Sequence, residues 1–452
     1  MKIIIVGCGK IGRNLVDRLV AEGHDVAVVD KDPSVIEDTT NAFDVIGLCG
    51  IGTDCEVLAE AGAAKADLVI SVTGSDELNM LACFIARTLG AKNTVARIRD
   101  REYNDKSLSF MAGQLQLSMA INPEMYAAHT IANILRFPSA VNIDTFDSNK
   151  FEIVEMILGE KSPLSGMTMI DLRRRSPGKF LICAVMRDNR IIIPDGRFVL
   201  EDGDRIALTA APNEIGKLLR SFDLITRKTK SAMILGASRI AYYLSLSLLA
   251  SGTKVTVIDK DQTRCEEFAE SLPGVTVICG DGADQDMLIE EGIGQTDAFI
   301  SLTGYDEDNI LISYFASSQK VPKVIAKVNR PEFHPIAGKL GIDTIISPIT
   351  TVSDEMVRYA RALQNSVGSN VEKLYKIMDG QAEALEFNVR SDFKYAGKAL
   401  KEIKFKQNIL IAGILRNRRP IVPSGDDVIM PGDKVIVIAA NHRLYDLSDI
   451  IA

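Results

Sequence analysis

MKIIIVGCGKIG, residues 1–12, is an apolar run that stops at Gly7 and passes into a helical pattern through Gly9, Lys10, Ile11 and Gly12. Gly7-Cys8-Gly9-Lys10-Ile11-Gly12, directly after a strand and opening a helix, is a dinucleotide-binding fingerprint in the context that gives it meaning. Gly7 permits the tight turn. Gly9 lets the backbone approach a pyrophosphate at the positive helix N-terminus, and Gly12 lets the helix lie close to the sheet. The next strand, DVAVVD, closes with Asp30, whose carboxylate is placed to accept hydrogen bonds from a ribose diol. A carboxylate there repels a 2′-phosphate, so the pattern favours NAD(H) or ATP/ADP over NADP(H). The competing reading is a Rossmann-type domain with an empty cleft.

Outward from this loop, short apolar runs alternate with helical patterns: Ile11 to Ala21, DVAVVD, a helix, DVIGLC, another helix, DLVISVT and a helix from Asp76 to Leu89. That order predicts an α/β fold, a doubly wound parallel sheet covered by helices on both faces. Thr73 and Gly74 follow the fourth strand at its carboxyl end, where open α/β sheets bind ligands. Lys10 lies in the loop within reach of a terminal phosphate, or is a solvated lysine at a helix start. Lys31 could lie over an adenine edge or simply on the surface. Arg97 ends the fifth strand, placed for a phosphate or for a structural ion pair. Gly50-Ile-Gly52-Thr-Asp54 either flanks adenine or is a plain turn in which Asp54 caps a helix.

The pattern occurs twice. Residues 3–32 align with 232–261 at a constant offset of 229 with 12 identities in 30 positions, and Ser71–Asn79 answers Ser301–Asn309 after one inserted residue. The second copy departs from the fingerprint: Gly236-Ala-Ser238-Arg239-Ile-Ala241 keeps only the first glycine, and Ser238 adds a side chain where a pyrophosphate would pass. Asp259 is retained, Thr303 stands for Thr73, Arg239 replaces Lys10, and Lys327 replaces Arg97 with loss of the planar fork. This second cleft is expected to bind a nucleotide with altered preference, or to stand empty. After each Rossmann-like half come strands with hairpin signals, LICAVMRDNRIIIP and DRIALTA in the first, LIAGILRNRRPIVP and DKVIVIA in the second. The expected plan is 1–140 and 231–366 as Rossmann-like domains, with 141–222 and 367–452 as small α+β domains and the polar stretch 226–231 as joiner.

Composition narrows the function classes. The chain has 452 residues, enough for about three average domains. Charged residues make up 25% and hydrophobic ones 46%, a globular profile. With net charge −8 and no Trp, it has neither the footprint of a nucleic-acid binder nor a base-stacking or sugar-binding surface. No apolar run reaches the roughly 18 to 20 residues of a spanning helix, and no leader pattern precedes the first strand, so a cytoplasmic location is expected. Seven cysteines without a CxxC pair read as reduced thiols rather than a disulfide framework or a zinc site. The clusters Arg173-Arg-Arg175 and Arg416-Asn-Arg-Arg419 could meet an anionic partner, although the second falls on a turn matched by Arg187-Asp-Asn-Arg190. His24, His129, His334 and His442 stand beside no Ser, Cys or acidic partner at motif spacing, and no catalytic set can be assembled.

The run GIGTDCEVLAEAGAAKADLVISVTGSDELNMLACFIARTLGA, followed by VARIRDREY, resembles the RCK, or KTN, family of regulatory proteins, and among them the TrkA-type subunits of Trk potassium uptake systems. The likeness spans the whole chain, since the duplicated plan is also theirs. It implies a cytoplasmic regulator, peripheral on the inner membrane face, working with a Trk-type channel or transporter subunit in a ring of four chains. It implies nucleotide contacts at positions 7 to 11 and at Asp30, Thr73, Gly74 and Arg97. Three functions compete: nucleotide-dependent gating, which needs no catalytic residues; an NAD-dependent dehydrogenase, which needs a positioned acid or base that 141–222 does not offer; and a sensor for a different transporter.

Overall fold

The computed structural model describes residues 1–100, 103, 105–136, 140–146, 151–159, 162–175, 180–222, 229–342, 344–366, 371–378, 380–417, 419–442, 444 and 446–452. Residues 226–228 of the joining stretch, and Arg418 of the second arginine cluster, lie outside that set.

In the strand Lys2–Val6, Ile3 to Val6 are buried on both faces, as a central parallel strand must be. The six parallel strands of the first sheet run in the order Ile46–Cys49, Asp25–Asp30, Lys2–Val6, Leu68–Ser71, Thr94–Arg97 and Met119–Ile121. The last is absent from the sequence reading, because three residues are too few to show a period. A second sheet repeats the order with Thr276–Cys279, Lys254–Asp259, Ser231–Leu235, Ala298–Ser301, Lys323–Lys327 and Thr344–Ile346. Strand order reverses beside the first strand of each, so the carboxyl ends of Lys2–Val6 and Leu68–Ser71 frame a crevice. Gly7 stands at one rim and Thr73 at the other.

Each half ends in a five-stranded antiparallel sheet, Arg190–Ile192, Phe180–Arg187, Arg205–Ala210, Phe151–Ile157 and Ala140–Phe146 in the first. The second has Val371–Ile377, Ala382–Asn388, Lys434–Ala440, Ile409–Arg416 and Arg419–Ile421. The two sheets share one core, in which Phe146, Phe151, Ile153 and Ala184 meet Ile377, Ala384, Ala412 and Ile436. The approach is close enough that a Cβ on Gly413 would stand 2.6 Å from the Phe151 ring. Met378 N donates to Glu155 Oε1 across the same seam at 3.1 Å.

The halves also exchange a helix. Pro123–Arg136 leaves the first sheet and buries Ala127, Ala128, Ile131, Ile134 and Leu135 among Ile240, Leu244 and Leu248 of the second copy. Pro348–Ser366 returns the favour, with Val352, Met356, Val357 and Ala360 against Ile11, Leu15 and Leu19 of the first. Polar contacts fix the crossings: Asn122 Nδ2 donates to Tyr243 Oη at 3.2 Å, and Arg18 and Arg361 pair with Asp354 and Glu22. Segments 1–140 and 231–366 therefore each complete the other's helical layer. The three large side chains of the first crossing helix each gain roughly 1.5–3 kcal/mol by burial, so the clasp is a major part of the fold's stability. Among the described residues no helix is long and apolar enough to cross a membrane.

Candidate functional site

Gly7 takes φ +95°, and a Cβ there would come 2.9 Å from Thr73 N, so the turn admits no side chain. A Cβ on Gly12 would stand 1.9 Å from the Gly7 carbonyl oxygen, which is what lets the helix Lys10–Ala21 seat against the strand. Gly9 differs in kind: its Cβ would meet nothing within 4 Å, and as N-cap it offers the helix no side-chain hydrogen bond. No side chain of its N-cap therefore competes for the first turn's N–H groups, and such a helix end can accept an anion. Cys8 and Ile11 point into the core beside Leu15, so their side chains are not ligand-facing. Burial, with Asp30 adding repulsion, pushes the Cys8 thiol up to about 12.

Asp30 Oδ2 accepts from Cys8 N at 2.7 Å and Oδ1 from Asp32 N at 3.1 Å. A carboxylate has about four acceptor positions, so two remain for a ribose diol while the loop holds the group still. Lys10 and Lys31 are exposed, as is Gly74. Asp54 accepts from Glu56 N at 2.8 Å and caps Cys55–Glu60. The segment 50–54 is therefore a capped turn, and its Ile51 is left exposed.

Two polar hubs absent from the sequence reading organise the opposite rim. Asn79, fully buried on the helix Asp76–Leu89, accepts at Oδ1 from Ser71 Oγ (3.0 Å), Thr73 N (2.7 Å) and Thr73 Oγ1 (2.7 Å), and donates to the Arg97 carbonyl at 2.9 Å. Asp76 accepts from Arg99 N at 2.7 Å and Asp100 N at 2.8 Å. Asn309 and Asp306 repeat these bonds around Thr303, Lys327, Asn329 and Arg330. Their recurrence at an offset of 230 was the available signal.

The second cleft, about 640 Å³, is lined by Gly236, Ser238, Asp259, Lys260, Thr303 and Lys327, among others. Asp259 Oδ2 accepts from Ala237 N at 2.8 Å, as Asp30 does from its loop. Ser238, however, is the N-cap of Arg239–Ala250, and its Oγ accepts from Ala241 N at 3.3 Å. The protein's own hydroxyl occupies the helix end that the first copy leaves open.

The clefts also feel each other. Arg97 donates to the Thr73 carbonyl, and its Nε is buried without an acceptor among the described residues. Burial lowers the Arg97 pKa, with repulsion from Arg99 and, across the clasp, from Arg239. Burial likewise lowers that of Lys327, and Lys10 of the other copy adds repulsion; Glu124 on the crossing helix opposes both shifts. Cations of the two copies thus repel one another across the clasp. Elsewhere the arginines are structural: Arg187 pairs with Asp204 and Arg416 with Asp433, flanking turns at Asp188, Asn189 and Asn417 with positive φ. Arg173–Arg175 form the exposed last turn of a short helix. His334 and His442 bond main-chain carbonyls of Val328 and Gln407.

Known proteins share this plan. The family model described as TrkA-N domain matches residues 3–119 and 232–348, and that described as TrkA-C domain matches 153–223 and 384–452. The Trk system potassium uptake protein TrkA homolog of Archaeoglobus fulgidus is 32% identical over 450 residues, 100% of each chain. The Trk system potassium uptake protein TrkA of Vibrio alginolyticus is 30% identical over 449 residues, 98% of this chain and 96% of that one. Among solved structures, the GsuK channel bound to NAD superposes with a TM-score of 0.64 at 17% identity, over 97% of this chain and 77% of that one. At such identity the likeness speaks for the fold alone.

Proposed function

From the premise that this chain belongs to the TrkA family, whose two domains it carries twice over, we propose that it is a nucleotide-sensing regulatory subunit controlling a Trk-type potassium channel or transporter from the cytoplasmic face of the membrane. The observation that carries the sensing role is the uncapped, glycine-lined helix end at Gly9 facing the fixed carboxylate of Asp30. Gly7, Gly9 and the main chain of Cys8, Lys10 and Ile11 cradle the pyrophosphate, Gly12 seats the helix, and Asp30 holds the ribose. Lys10, Thr73, Gly74 and Arg97 line the phosphate side, with Lys31 beside the adenine. Gly236, Ser238, Arg239, Asp259 and Thr303 form the degenerate counterpart. The ligand is an adenine nucleotide, NAD(H) or ATP/ADP, and the GsuK channel's NAD-bound form supports that class.

Gating follows from differential affinity. A ligand shifts a conformational equilibrium only by binding one state better than another. Arg97, Arg239, Lys10 and Lys327 come from both copies, so ligands of different phosphate charge change the electrostatic pull between the halves. The outer helices Asp76–Leu89 and Asp306–Ser318 expose Leu81, Phe84, Leu311 and Tyr314 at matching positions, 41–63% accessible. Such repeated apolar faces suit self-association into a closed ring, for which four chains are the proposed number.

The test is potassium flux through a reconstituted Trk-type channel, with and without this chain, in ATP, ADP or NADH. Flux is expected to change with nucleotide and to lose that response in Asp30→Ala. Flux indifferent to every nucleotide would remove the proposal.

A further inference from the structure

Cys49 and Cys279 occupy one position in the two copies. Each ends the edge strand of its parallel sheet, paired with Asp30 or Asp259, and each is exposed. Each thiol lies against the main-chain carbonyl of the following lysine, 3.7 Å from Lys31 O and 3.9 Å from Lys260 O. The helices behind them differ. Where the first copy presents Ile36, the second presents Cys265, buried on Gln262–Ser271. Cys265 Sγ stands 3.2 Å from Asp259 O and 3.8 Å from Ile278 O, over the seam between the two strand ends and beside Cys279. Both thiols thus lie against consecutive carbonyls of one strand end, Cys265 on Asp259 O and Cys279 on Lys260 O. On the helix behind it Cys49 therefore meets Ile36 where Cys279 meets a thiol.

We propose that Cys265 and Cys279 form a peroxide-responsive dithiol that closes to a disulfide at the ribose edge of the second cleft. The oxidant is a small hydroperoxide such as hydrogen peroxide. The exposed Cys279 thiolate attacks a peroxide oxygen: an S–O bond forms, the O–O bond breaks, and the released hydroxide takes up the proton that the thiol gave, leaving one water and a sulfenic acid. Cys265 then attacks the Cys279 sulfur. The S–S bond forms, the S–O bond breaks, and the departing hydroxide takes the Cys265 proton as a second water. Two thiols have lost two electrons and two protons to one peroxide. Burial first, then the neighbouring Cys279, raises the Cys265 thiol to about 11, which keeps it protonated and sets the order of events. The bond ties Gln262–Ser271 to the strand edge that frames Asp259, Lys260 and Asp261. The thiol chemistry is independent of whether the second cleft binds a nucleotide, so its failure and that of the sensing role are separable.

Full-length protein treated with a small excess of hydrogen peroxide, alkylated in denaturant and mapped by peptide mass spectrometry tests this. Two of the seven thiols are expected in a linked pair of peptides carrying Cys265 and Cys279, restored by dithiothreitol. Cys49 should carry only a dimedone-trappable sulfenic acid. Cys279→Ser, an exposed and conservative change, should leave Cys265 fully alkylated; Cys265→Ile should leave Cys279 trappable like Cys49. Oxidised Cys279 in the wild type with Cys265 still free, or cross-links only between chains, would overturn the proposal.

Discussion

Gly9→Ser should weaken nucleotide binding at the first cleft without harming the fold, and Ser238→Gly should strengthen it at the second. The backbones are already alike, φ −65° and ψ −166° at Gly9 against φ −91° and ψ 168° at Ser238. A Cβ on Gly9 meets nothing within 4 Å, so a serine enters free of strain. Its hydroxyl would reach Gly12 N, the counterpart of Ala241 N, which Ser238 Oγ caps at 3.3 Å. An N-cap of this kind is worth about 1 kcal/mol, and a phosphate must displace it to use the same N–H groups. That is a loss of about fivefold in affinity, increased by the bulk of the side chain. In reverse, Ser238→Gly costs the helix only a few tenths of a kcal/mol and should improve binding by up to about fivefold. Gly12→Ala is the contrast, since its methyl would lie 1.9 Å from Gly7 O and destabilise the unit by about 1–3 kcal/mol or more. Calorimetric titration with ATP, ADP and NADH, each cleft studied with the other silenced by Asp30→Ala or Asp259→Ala, gives the affinities, and thermal denaturation gives the stabilities. Unchanged binding in Gly9→Ser, or weaker binding in Ser238→Gly, would show that the hydroxyl serves the ligand rather than competing with it.

Two further outcomes follow, the first from the clasp. Ile131→Ala, fully buried in the second copy's core, should cost about 2–5 kcal/mol and speed amide exchange along Arg239–Ala250; exchange raised only within residues 1–121 would contradict the crossing. His24 is buried, which lowers its pKa below the ordinary 6.5, with the chain's amino terminus as the next cause. Its neutral form belongs to the folded state, so its contribution is complete above pH 6.5 and declines as pH falls below that value. Denaturant midpoints measured down to about pH 5 should therefore fall more steeply in the wild type than in His24→Gln, and parallel profiles would count against this assignment.

The parts of this molecule legible in its sequence are those set by neighbours along the chain. Gly7 and Gly12 lie five residues apart and touch each other, so their spacing states a local constraint, and the two parallel sheets follow from short apolar runs alternating with helical periods, repeated twice. Asn79 and Asp76 are legible only as a recurrence, and their role is not, because their partners, Arg97 O and the Arg99 and Asp100 amides, lie 18 to 24 residues on; a polar residue in a helix reads as surface until the strand it reaches is known. The strands Ala140–Phe146 and Val371–Ile377 were missed for a related reason, since VEKLYKI mixes charge into its alternation and gains its order from pairing with Ala382–Asn388. The exchanged helices expose the deeper limit. The pattern of Pro123–Arg136 says which of its faces is apolar, yet duplication supplies two nearly equal sheets on which that face can lie, and no period distinguishes its own from the other. Once the helix has crossed, the Glu124 carboxylate acts on both Arg97 and Lys327, and cations of the two copies repel one another. On the proposed function, an anion bound at the intact fingerprint would alter the field felt by Lys327 through Lys10, so the exchange of helices, rather than either glycine loop alone, is what links the two copies.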